Sequence, residues 1–213
     1  MCPHALIPFK PSGSKSRLSG LLSLEEREAF ARAMLDDVIA AVKDVNCRPV
    51  IIATELYDSE DIQVTIADKD LSGALNEVLS QGAGPVLIIM ADIPLANGQA
   101  IRRVISTQSD IAIVPGRGGG TNVIFIRDPT KFRVDYYGMS FLKHAKIAKD
   151  MGLSCEVVDS FLLHTDIDEE EDLVELLTHG EGKSRKYLED LGFILSAEDG
   201  RVKIMRESPR SNQ

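Results

Sequence analysis

The sequence predicts an α/β fold with a single domain, built on a mostly parallel sheet with helices on both faces. Two observations predict this fold. Short apolar runs alternate with segments of helical character along most of the 213 residues, and such alternation is typical of parallel sheets with covered faces. In addition, the run from Val86 to Met90 contains no polar residue. A central parallel strand that is buried on both faces has this composition.

Local signals place the individual elements. Ser23 and Glu26 have the spacing of a capping box, so the first helix is expected to begin there and to run to about Val45. The glycine-rich segment 116–120 separates two apolar runs, which we interpret as strands flanking a turn. The predicted strands are 5–7, 50–54, 63–67, 86–90, 111–114, 123–126 and 155–158, and the predicted helices are 23–45, 71–79, 98–106, 140–151 and 169–179.

The C-terminal part of the chain departs from this alternation. Residues 1–180 are the predicted main domain, and residues 181–206 are a predicted extension packed on it. The extension is expected to contain a short helix (184–191) and a hairpin in which 193–195 pairs with 202–205 through Asp199 and Gly200. Residues 207–213 are polar and are predicted to be disordered.

Composition excludes several classes of function. The net charge is −9, from 33 acidic and 24 basic residues. This acidic balance, without a basic stripe, argues against nucleic-acid binding. The longest apolar runs are too short to cross a bilayer, and the chain does not open on a secretory signal. The three cysteines match no zinc pattern. We therefore expect reduced thiols and a cytoplasmic protein that binds neither membrane nor nucleic acid.

A cationic loop follows the first predicted strand. Lys10, Lys15 and Arg17 lie in a stretch rich in small residues, Ser14 among them, and no acidic residue precedes Glu25. Such a loop on an acidic protein is suited to bind the phosphates of a ligand, through its cations and through backbone N–H groups. The alternative is a mobile surface loop. A P-loop is rejected, because the required Gly-Lys-Ser/Thr order is absent.

Carboxylates follow two predicted sheet segments. Asp92 comes directly after the most apolar strand, where ligands of open α/β sheets gather. Asp166 and Asp168 are two residues apart, so in an extended segment they point the same way and can converge on one cation. The alternatives are a turn cap for Asp92, and favourable charge near a helix N-terminus for the pair. A third carboxylate at another strand end favours the cation site.

Two glycine-containing turns complete the set of candidate sites. The segment 115–122 contains a glycine cluster that is followed by a strand rather than a helix, so it is not a dinucleotide fingerprint. It is either an anion-binding loop or a plain hairpin turn. The segment 137–141 leads into a helix N-terminus, which is either an anion site or an ordinary cap at Ser140. The four histidines show no metal-ligand spacing.

In this order, these segments resemble the 2-phospho-L-lactate guanylyltransferase family of coenzyme F-420 biosynthesis. That family is related to the molybdenum-cofactor-type and sugar-phosphate nucleotidyltransferases. The resemblance spans Pro8 to about Leu176, and the ordered set is specific although each segment alone is weak. The matching segments are 8–10, 15–18, 90–95, 119–122, Gly138 with Ser140 and Phe141, His144, and 166–168.

The resemblance implies a Rossmann-like nucleotide-diphospho-sugar transferase fold, so that residues 1–180 become a nucleotidyltransferase domain. It also implies Mg²⁺ dependence and the conversion of GTP and 2-phospho-L-lactate to lactyl-2-diphospho-5′-guanosine and pyrophosphate. By analogy, Asp92, Asp166 and Asp168 would hold Mg²⁺. The GTP phosphates would meet Lys10, Ser14, Lys15 and Arg17, and the phosphorylated acid would meet Thr121, Gly138 and Ser140. The catalytic residues would be Asp92, Lys15 and Arg17.

Two departures from the family pattern stand out. The turn from Gly138 to Ser140 is one residue shorter than usual, and no motif lies beyond Gly180. Asn76 is a further candidate for a nucleotide contact, and the family favours a homodimer. The absence of an evident Ser-His-Asp or Cys-His arrangement agrees with this reaction, because a phosphate acceptor is already ionised near neutral pH and needs no general base. Cations that reduce the repulsion between two anions are what such a reaction requires.

Other functions stay open at this point. The chain could be a nucleotidyltransferase for phosphoenolpyruvate, phosphoglycerate, molybdopterin or a sugar phosphate. A glycosyltransferase could also use the pair Asp166 and Asp168, but its hydroxyl acceptor would then need a base. A non-catalytic module that binds GTP would bind nucleotide without releasing pyrophosphate. A purely structural role is disfavoured by three polar clusters at predicted strand ends.

Overall fold

A computed structural model describes residues 3–59, 61–82, 84–198 and 200–207. Cys2, Asp199 and residues 208–213, on which some of the predictions fall, lie outside these ranges. The strands are β1 (His4–Phe9), β2 (Arg48–Ala53), β3 (Gln63–Ile66), β4 (Val86–Ile89), β5 (Ile111–Pro115), β6 (Thr121–Ile126), β7 (Cys155–Val157), β8 (Phe193–Glu198) and β9 (Arg201–Arg206). The helices are α1 (Leu24–Asp44), α2 (Leu71–Ser80), α3 (Gly98–Ile105), α4 (Ser140–Asp150), α5 (Phe161–His164), α6 (Glu170–His179) and α7 (Lys183–Asp190).

Seven strands form one sheet in the order β3-β2-β1-β4-β6-β5-β7. Its pairs are parallel except for β6, which runs antiparallel to both β4 and β5. The reversal follows from the glycine-rich turn 116–120, which leads from β5 straight into β6 and leaves no room for a crossover helix. The prediction of a mostly parallel sheet is confirmed. Since β1 to β4 run the same way, their carboxyl ends meet at one edge.

Helices cover both faces of this sheet, as predicted. One face packs against α1, α3, α6 and α7, with Phe30, Met34 and Leu176 among its buried side chains. The other face packs against α2 and α4, with Leu75 and Ala148 in its core. Strand β4 contributes alternately to the two cores: Leu87 and Ile89 to the first, Val86 and Ile88 to the second. This double burial explains its uninterrupted apolar sequence.

The predicted capping box of α1 is present. The Ser23 hydroxyl accepts a hydrogen bond from the Glu26 backbone N–H, and the Glu26 carboxylate accepts one from the Ser23 backbone N–H. The structure also contains short elements that were not predicted, namely α5 and two 3-10 turns at Ser16–Leu18 and Pro129–Lys131. Each is a single turn, which is too short to show helical periodicity in a sequence.

The C-terminal segment contains a helix and a hairpin. Strands β8 and β9 pair antiparallel from Phe193 opposite Arg206 to Glu198 opposite Arg201, so the predicted hairpin is confirmed. Helix α7 is held against α1 by Asp37, which is buried. Its carboxylate accepts hydrogen bonds from the backbone N–H groups of Lys183 (2.6 Å) and Ser184 (2.9 Å). Asp37 thereby supplies the N-terminal cap that Gly182 cannot supply.

Candidate active site

A cavity of about 420 Å³ opens at the edge of the sheet where β1 to β4 end. Its size is suited to a small-molecule ligand. The predicted phosphate loop contributes Lys10, Ser14 and Lys15, and the predicted metal carboxylates Asp92 and Asp168 are also part of its wall. Apolar and polar residues from farther along the edge also line it, among them Ile52, Thr54, Ala67, Lys69, Asp70, Leu71 and Ala74.

Lys15 occupies the centre of the polar half of this site. Its Nζ atom lies 2.8 Å from Asp92 Oδ2 and 2.5 Å from Asp168 Oδ1, and only 7% of its side chain is exposed. Burial by itself lowers the pKa of Lys15, but the charges of Asp92 and Asp168 outweigh burial, so the pKa is raised above its ordinary value. The ammonium group is therefore charged at neutral pH and joins two carboxylates that would otherwise repel each other.

The backbone of the loop explains how Lys15 reaches this position. Lys15 has a φ angle of 56°, in the left-handed region that most residues avoid. The 3-10 turn Ser16–Leu18 follows, and the fully buried Leu18 anchors it in the core. Leu18 thus fixes the end of the loop in the core, and the left-handed residue Lys15 lies directly before this anchored turn.

Asp166 is partly buried and lies two residues before Asp168. Its Oδ1 atom is buried and has no hydrogen-bond partner among the described residues. Burial raises the pKa of Asp166, and the charges of Asp92 and Asp168 raise it further. The backbone N–H of Ile167 donates to the carbonyl of Asp92 over 2.9 Å, which ties the two acidic segments together. All three predicted metal carboxylates are therefore neighbours.

These residues fit a divalent cation by their chemistry. Mg²⁺ prefers oxygen ligands, and carboxylates are its usual protein ligands. The partnerless oxygen of Asp166 and the cation already held between Asp92 and Asp168 both indicate a place for positive charge. Within the described ranges, no three acidic, histidine or cysteine side chains converge closely enough to hold a metal in this conformation. The Lys15 ammonium stands between two of them, so a metal would require Lys15 to move.

The other cations of the loop are placed differently. Lys10 lines the main cavity, as does Ser14, whose Oγ atom is buried without a partner in the described part of the chain. Arg17 is exposed and lies 3.1 Å from the carboxylate of Glu169. Together with Lys15 and Asp168, it lines a smaller polar cavity of about 230 Å³ beside the main one. The loop cations therefore line two adjoining cavities, and Lys15 lines both of them.

Thr121 and Ser140 form a buried hydroxyl cluster. Their Oγ atoms are 3.3 Å apart, and Thr121 Oγ1 lies 2.9 Å from Nδ1 of His144. The Nε2 atom of His144 accepts a hydrogen bond from the backbone N–H of Asp135 over 3.0 Å. A backbone N–H can only donate, so the geometry assigns the proton of the neutral ring to Nδ1. Burial lowers the pKa of His144 to about 4, which keeps the ring neutral.

Gly138 belongs to the turn that precedes these hydroxyls. Tyr137 and Gly138 have φ angles of 78° and 60°, and the glycine makes the second of these left-handed steps easy. The backbone N–H of Phe141 donates to the carbonyl of Gly119, so this turn rests on the glycine-rich loop. The two predicted anion loops are therefore in contact. Of the residues in this turn, the structure places Tyr137 on the main cavity.

The structure does not bring Asn76 to this site. Its amide nitrogen donates to the Val134 carbonyl over 2.9 Å, and its amide oxygen accepts from the Val134 backbone N–H over 2.8 Å. Among the described residues it does not line the main cavity. Both ends of the side chain are occupied in joining α2 to the segment before α4, so the geometry supports a structural role instead.

Sequence reasoning missed several residues of the site. Lys69 and Asp70 line the main cavity from the segment between β3 and α2. An acidic residue directly before a predicted helix, at the carboxyl end of a strand, was the signal that could have found Asp70. The link from His144 to Thr121 was not visible, because 23 residues separate them. Arg117 was also missed as a partner of Asp172 and of the Asp166 carbonyl.

Comparison with known proteins gives a consistent result. The family model described as "Guanylyl transferase CofC like" matches residues 3–207. A 2-phospho-L-lactate guanylyltransferase from Methanoregula boonei is 80% identical over 206 residues, which are 97% of this chain and 96% of that protein. A protein of the same name from Methanosphaerula palustris is 54% identical over 98% of this chain and 100% of its own length.

Solved structures agree in fold. A protein from Desulfovibrio desulfuricans G20, described as a nucleotide-diphospho-sugar transferase, has a TM-score of 0.73 at 16% identity and covers 89% of this chain and 95% of its own. The 2-C-methyl-D-erythritol 4-phosphate cytidylyltransferase of Thermus thermophilus has a TM-score of 0.55 at 12% identity, covering 82% of this chain and 96% of its own. The predicted nucleotide-diphospho-sugar transferase-like fold is therefore confirmed.

Proposed function

The chain belongs to the family of CofC-like guanylyl transferases, and from this premise we propose that it transfers the guanylyl group of GTP to 2-phospho-L-lactate. The products are lactyl-2-diphospho-5′-guanosine and pyrophosphate. One observation carries the choice of acceptor: the relative that is 80% identical over nearly the whole chain bears the name of this reaction. The geometry of the site supplies the independent support.

The phosphate chain of GTP belongs beside the cationic loop. Lys10 and Lys15 line the main cavity and Arg17 lines the smaller one that adjoins it, so a triphosphate that spans both would meet all three cations. Ser14 Oγ has no partner among the described residues and can donate to a phosphate oxygen. Cations in these positions neutralise the charge that builds up on the leaving pyrophosphate.

Asp92, Asp166 and Asp168 are the proposed ligands of Mg²⁺. When bound, the ion would supply positive charge that polarises the α-phosphate and reduces its repulsion of a second anion. In the structure, the Lys15 ammonium joins Asp92 and Asp168. If these carboxylates held the ion, the ammonium would be available to the GTP phosphates, so the same side chain would serve both the carboxylates and the nucleotide.

The acceptor belongs near Thr121, Gly138 and Ser140. The Thr121 hydroxyl is oriented by His144, and the left-handed turn at Gly138 places backbone groups beside Ser140. Hydroxyl and backbone N–H donors of this kind suit a carboxylate or phosphate. A phosphate oxygen of the acceptor attacks the α-phosphorus of GTP and forms the new P–O bond. The bond from the α-phosphorus to the oxygen that bridges to the β-phosphorus breaks, and pyrophosphate leaves with that electron pair.

Pyrophosphate release is the direct test. The protein is incubated with Mg²⁺ and GTP, with and without 2-phospho-L-lactate, and the nucleotide product is identified by mass spectrometry. We expect release only when both substrates are present, and a product of the mass of lactyl-2-diphospho-5′-guanosine. Phosphoenolpyruvate and 3-phosphoglycerate serve as alternative acceptors. Faster release with one of them would overturn the choice of acceptor, and GTP binding without any release would favour a GTP-binding module.

Two further features remain predictions. We propose a homodimer by analogy with the family, which sedimentation of the purified protein would test. We also propose a cytoplasmic location, for which the structure offers only a compatible observation. None of the helices in the described ranges has both the length and the apolar character needed to cross a membrane.

A further inference from the structure

We propose that Asp70 recognises the guanine base, by accepting hydrogen bonds from its N1–H and its 2-amino group. This inference rests on the proposed function, because it assigns the base of the nucleotide substrate to one end of the main cavity. Asp70 would then be the residue that selects GTP over ATP.

The main cavity has two chemically different ends. Lys15 and Asp92 form one end, where the phosphates belong. Asp70 follows β3 and Asp92 follows β4. These strands are three strand spacings apart in the sheet, which corresponds to about 14 Å. A nucleotide that lies along the sheet edge, with its phosphates at Lys15, therefore directs its base toward Asp70.

The wall at this second end suits a purine ring. Ile52 comes from β2, Ala67 directly follows β3, and Leu71 and Ala74 come from α2; all four line the cavity. Apolar side chains of this kind bury the faces of a flat ring, while a few polar groups at its rim fix its identity. At the phosphate end of the same cavity, the partnerless buried Ser14 Oγ indicates that a polar ligand completes the site.

Elimination leaves one carboxylate for the base. Three carboxylates line the cavity within the described residues, namely Asp70, Asp92 and Asp168. Asp92 and Asp168 are both bound to Lys15. The Watson–Crick edge of guanine presents two neighbouring N–H donors, which a carboxylate accepts well, whereas adenine presents the acceptor N1 there and would be repelled. Asp70 therefore has the chemistry that separates these two purines.

The local geometry of Asp70 leaves one oxygen for this task. Asp70 is the N-cap of α2, and its Oδ1 atom accepts a hydrogen bond from the Gly73 backbone N–H over 2.7 Å. This bond fixes the side chain at the mouth of the cavity. The second oxygen, Oδ2, has two lone pairs and is then available to accept both neighbouring N–H groups of the base. One oxygen of Asp70 thus caps α2, and the other is available to recognise the base.

The same geometry provides a sharp test. In Asp70→Asn, the amide oxygen can keep the cap, since Asn is as good an N-cap as Asp, while the amide –NH₂ replaces Oδ2. The variant then presents donors where the base of GTP also presents donors. Xanthine carries a carbonyl oxygen in place of the 2-amino group. This oxygen can accept a hydrogen bond from the new amide, so the variant should use XTP better and GTP less well than the wild-type protein does. Asp68→Asn is the matched control, because Asp68 is exposed two residues earlier and is not part of the described cavity wall.

Nucleotide binding and pyrophosphate release are measured with GTP, ITP, XTP and ATP for the wild-type protein and both variants. We expect Asp70→Asn to lower kcat/KM for GTP by roughly 10- to 100-fold, the loss expected for charge-assisted hydrogen bonds, and to raise kcat/KM for XTP. Asp68→Asn should behave as the wild-type protein does. ITP lacks the 2-amino group, so its disadvantage relative to GTP should shrink in Asp70→Asn.

The outcomes separate this inference from the proposed function. If the wild-type protein releases pyrophosphate from GTP and Asp70→Asn keeps the full preference for GTP, the assignment of Asp70 is wrong and the proposed function stands. If the wild-type protein binds GTP but transfers nothing, the proposed function fails, and the binding preferences of the two variants still decide the role of Asp70. Urea unfolding and circular dichroism of Asp70→Asn verify that α2 stays folded.

Discussion

Nδ1 of His144 lies 2.9 Å from Oγ1 of Thr121, and the bond between them has a fixed direction. Because the Asp135 backbone N–H occupies Nε2, the ring donates from Nδ1 and Thr121 accepts. The hydrogen of the Thr121 hydroxyl is therefore directed away from His144. His144, which is not a proposed substrate contact, thus orients the hydroxyl of Thr121, a buried residue that is proposed to lie near the acceptor.

Replacing His144 tests this positioning role. In His144→Phe the ring remains but both hydrogen bonds are lost, so Thr121 loses its orientation. We expect KM for 2-phospho-L-lactate to rise roughly 3- to 10-fold, the value of one hydrogen bond, while KM for GTP is unchanged. His144→Asn retains a donor near the position of Nδ1 and should recover part of the loss. Equal changes in both KM values would instead indicate a general structural defect.

The burial of His144 also makes the stability of the protein depend on pH. Burial lowers the pKa of the folded-state ring from 6.5 to about 4; the charge of Asp135 raises this pKa by a smaller amount, and the charge of Lys143 lowers it slightly further. Between these values the unfolded chain binds a proton that the folded chain does not. Stability is therefore lost as the pH falls from about 6.5 to about 4, by up to about 3 kcal/mol.

Urea unfolding at pH 7.5 and at pH 5 measures this effect. His144→Phe should show a smaller difference between the two pH values than the wild-type protein does. His4→Gln is the control, because His4 is exposed in β1, and it should keep the wild-type difference. A pH dependence that is the same in all three proteins would contradict the assignment to His144.

Asp92→Asn tests the proposed metal site. The substitution removes a charged oxygen ligand and one partner of Lys15 while preserving the shape of the side chain. We expect guanylyl transfer to fall by more than about 100-fold, since even residues that only orient metal ligands cost 10- to 100-fold. Mg²⁺ binding measured by calorimetry in the presence of GTP should weaken in parallel. Retained turnover in this variant would contradict the assignment of Asp92.

Lys15→Met separates the two roles of that lysine. Loss of the ammonium leaves Asp92, Asp166 and Asp168 without their internal cation, so Mg²⁺ or Mn²⁺ should bind the nucleotide-free variant more tightly than the wild-type protein. Transfer from GTP should nevertheless fall, because the proposed contact of Lys15 with a phosphate is lost. Calorimetric titration with the metal alone and steady-state kinetics measure the two effects. Unchanged metal affinity would show that Lys15 does not compete for this site.

Asp37 and Asp36 are adjacent, yet their replacement by alanine should have very different consequences. Asp37 is buried and caps α7, so Asp37→Ala should lower the free energy of unfolding by about 2–3 kcal/mol. Asp36 forms an exposed ion pair with Lys183, and its loss should cost less than about 1 kcal/mol. Urea unfolding gives both values. Limited proteolysis should also distinguish the two variants. We expect early cleavage in Asp37→Ala, where loss of the cap lets α7 detach, and no such cleavage in Asp36→Ala.

Much of the fold was predictable because its signals are local. The capping box at Ser23, the apolar run of β4 and the alternation of elements each depend on residues close together in sequence. Short elements such as α5 and the turn Ser16–Leu18 could not be predicted, because tertiary packing of a single buried residue, Leu18 in the second case, stabilises them. The position of β6 between β4 and β5 was likewise decided by pairing across the sheet.

The features of the candidate site divide in the same way, into those set by local sequence and those set by tertiary contacts. The sequence by itself determined which residue types were available: cations after β1, carboxylates after β4 and before α6, and small residues in two turns. Only the tertiary structure decided that Lys15 lies between Asp92 and Asp168, that Asn76 binds Val134 instead of lining the cavity, and that His144 orients Thr121. These relationships join residues from 23 to 153 positions apart. A periodicity or a spacing reports on neighbours in the chain, whereas the parallel sheet brings the ends of separate strands to one edge, and that convergence creates the site.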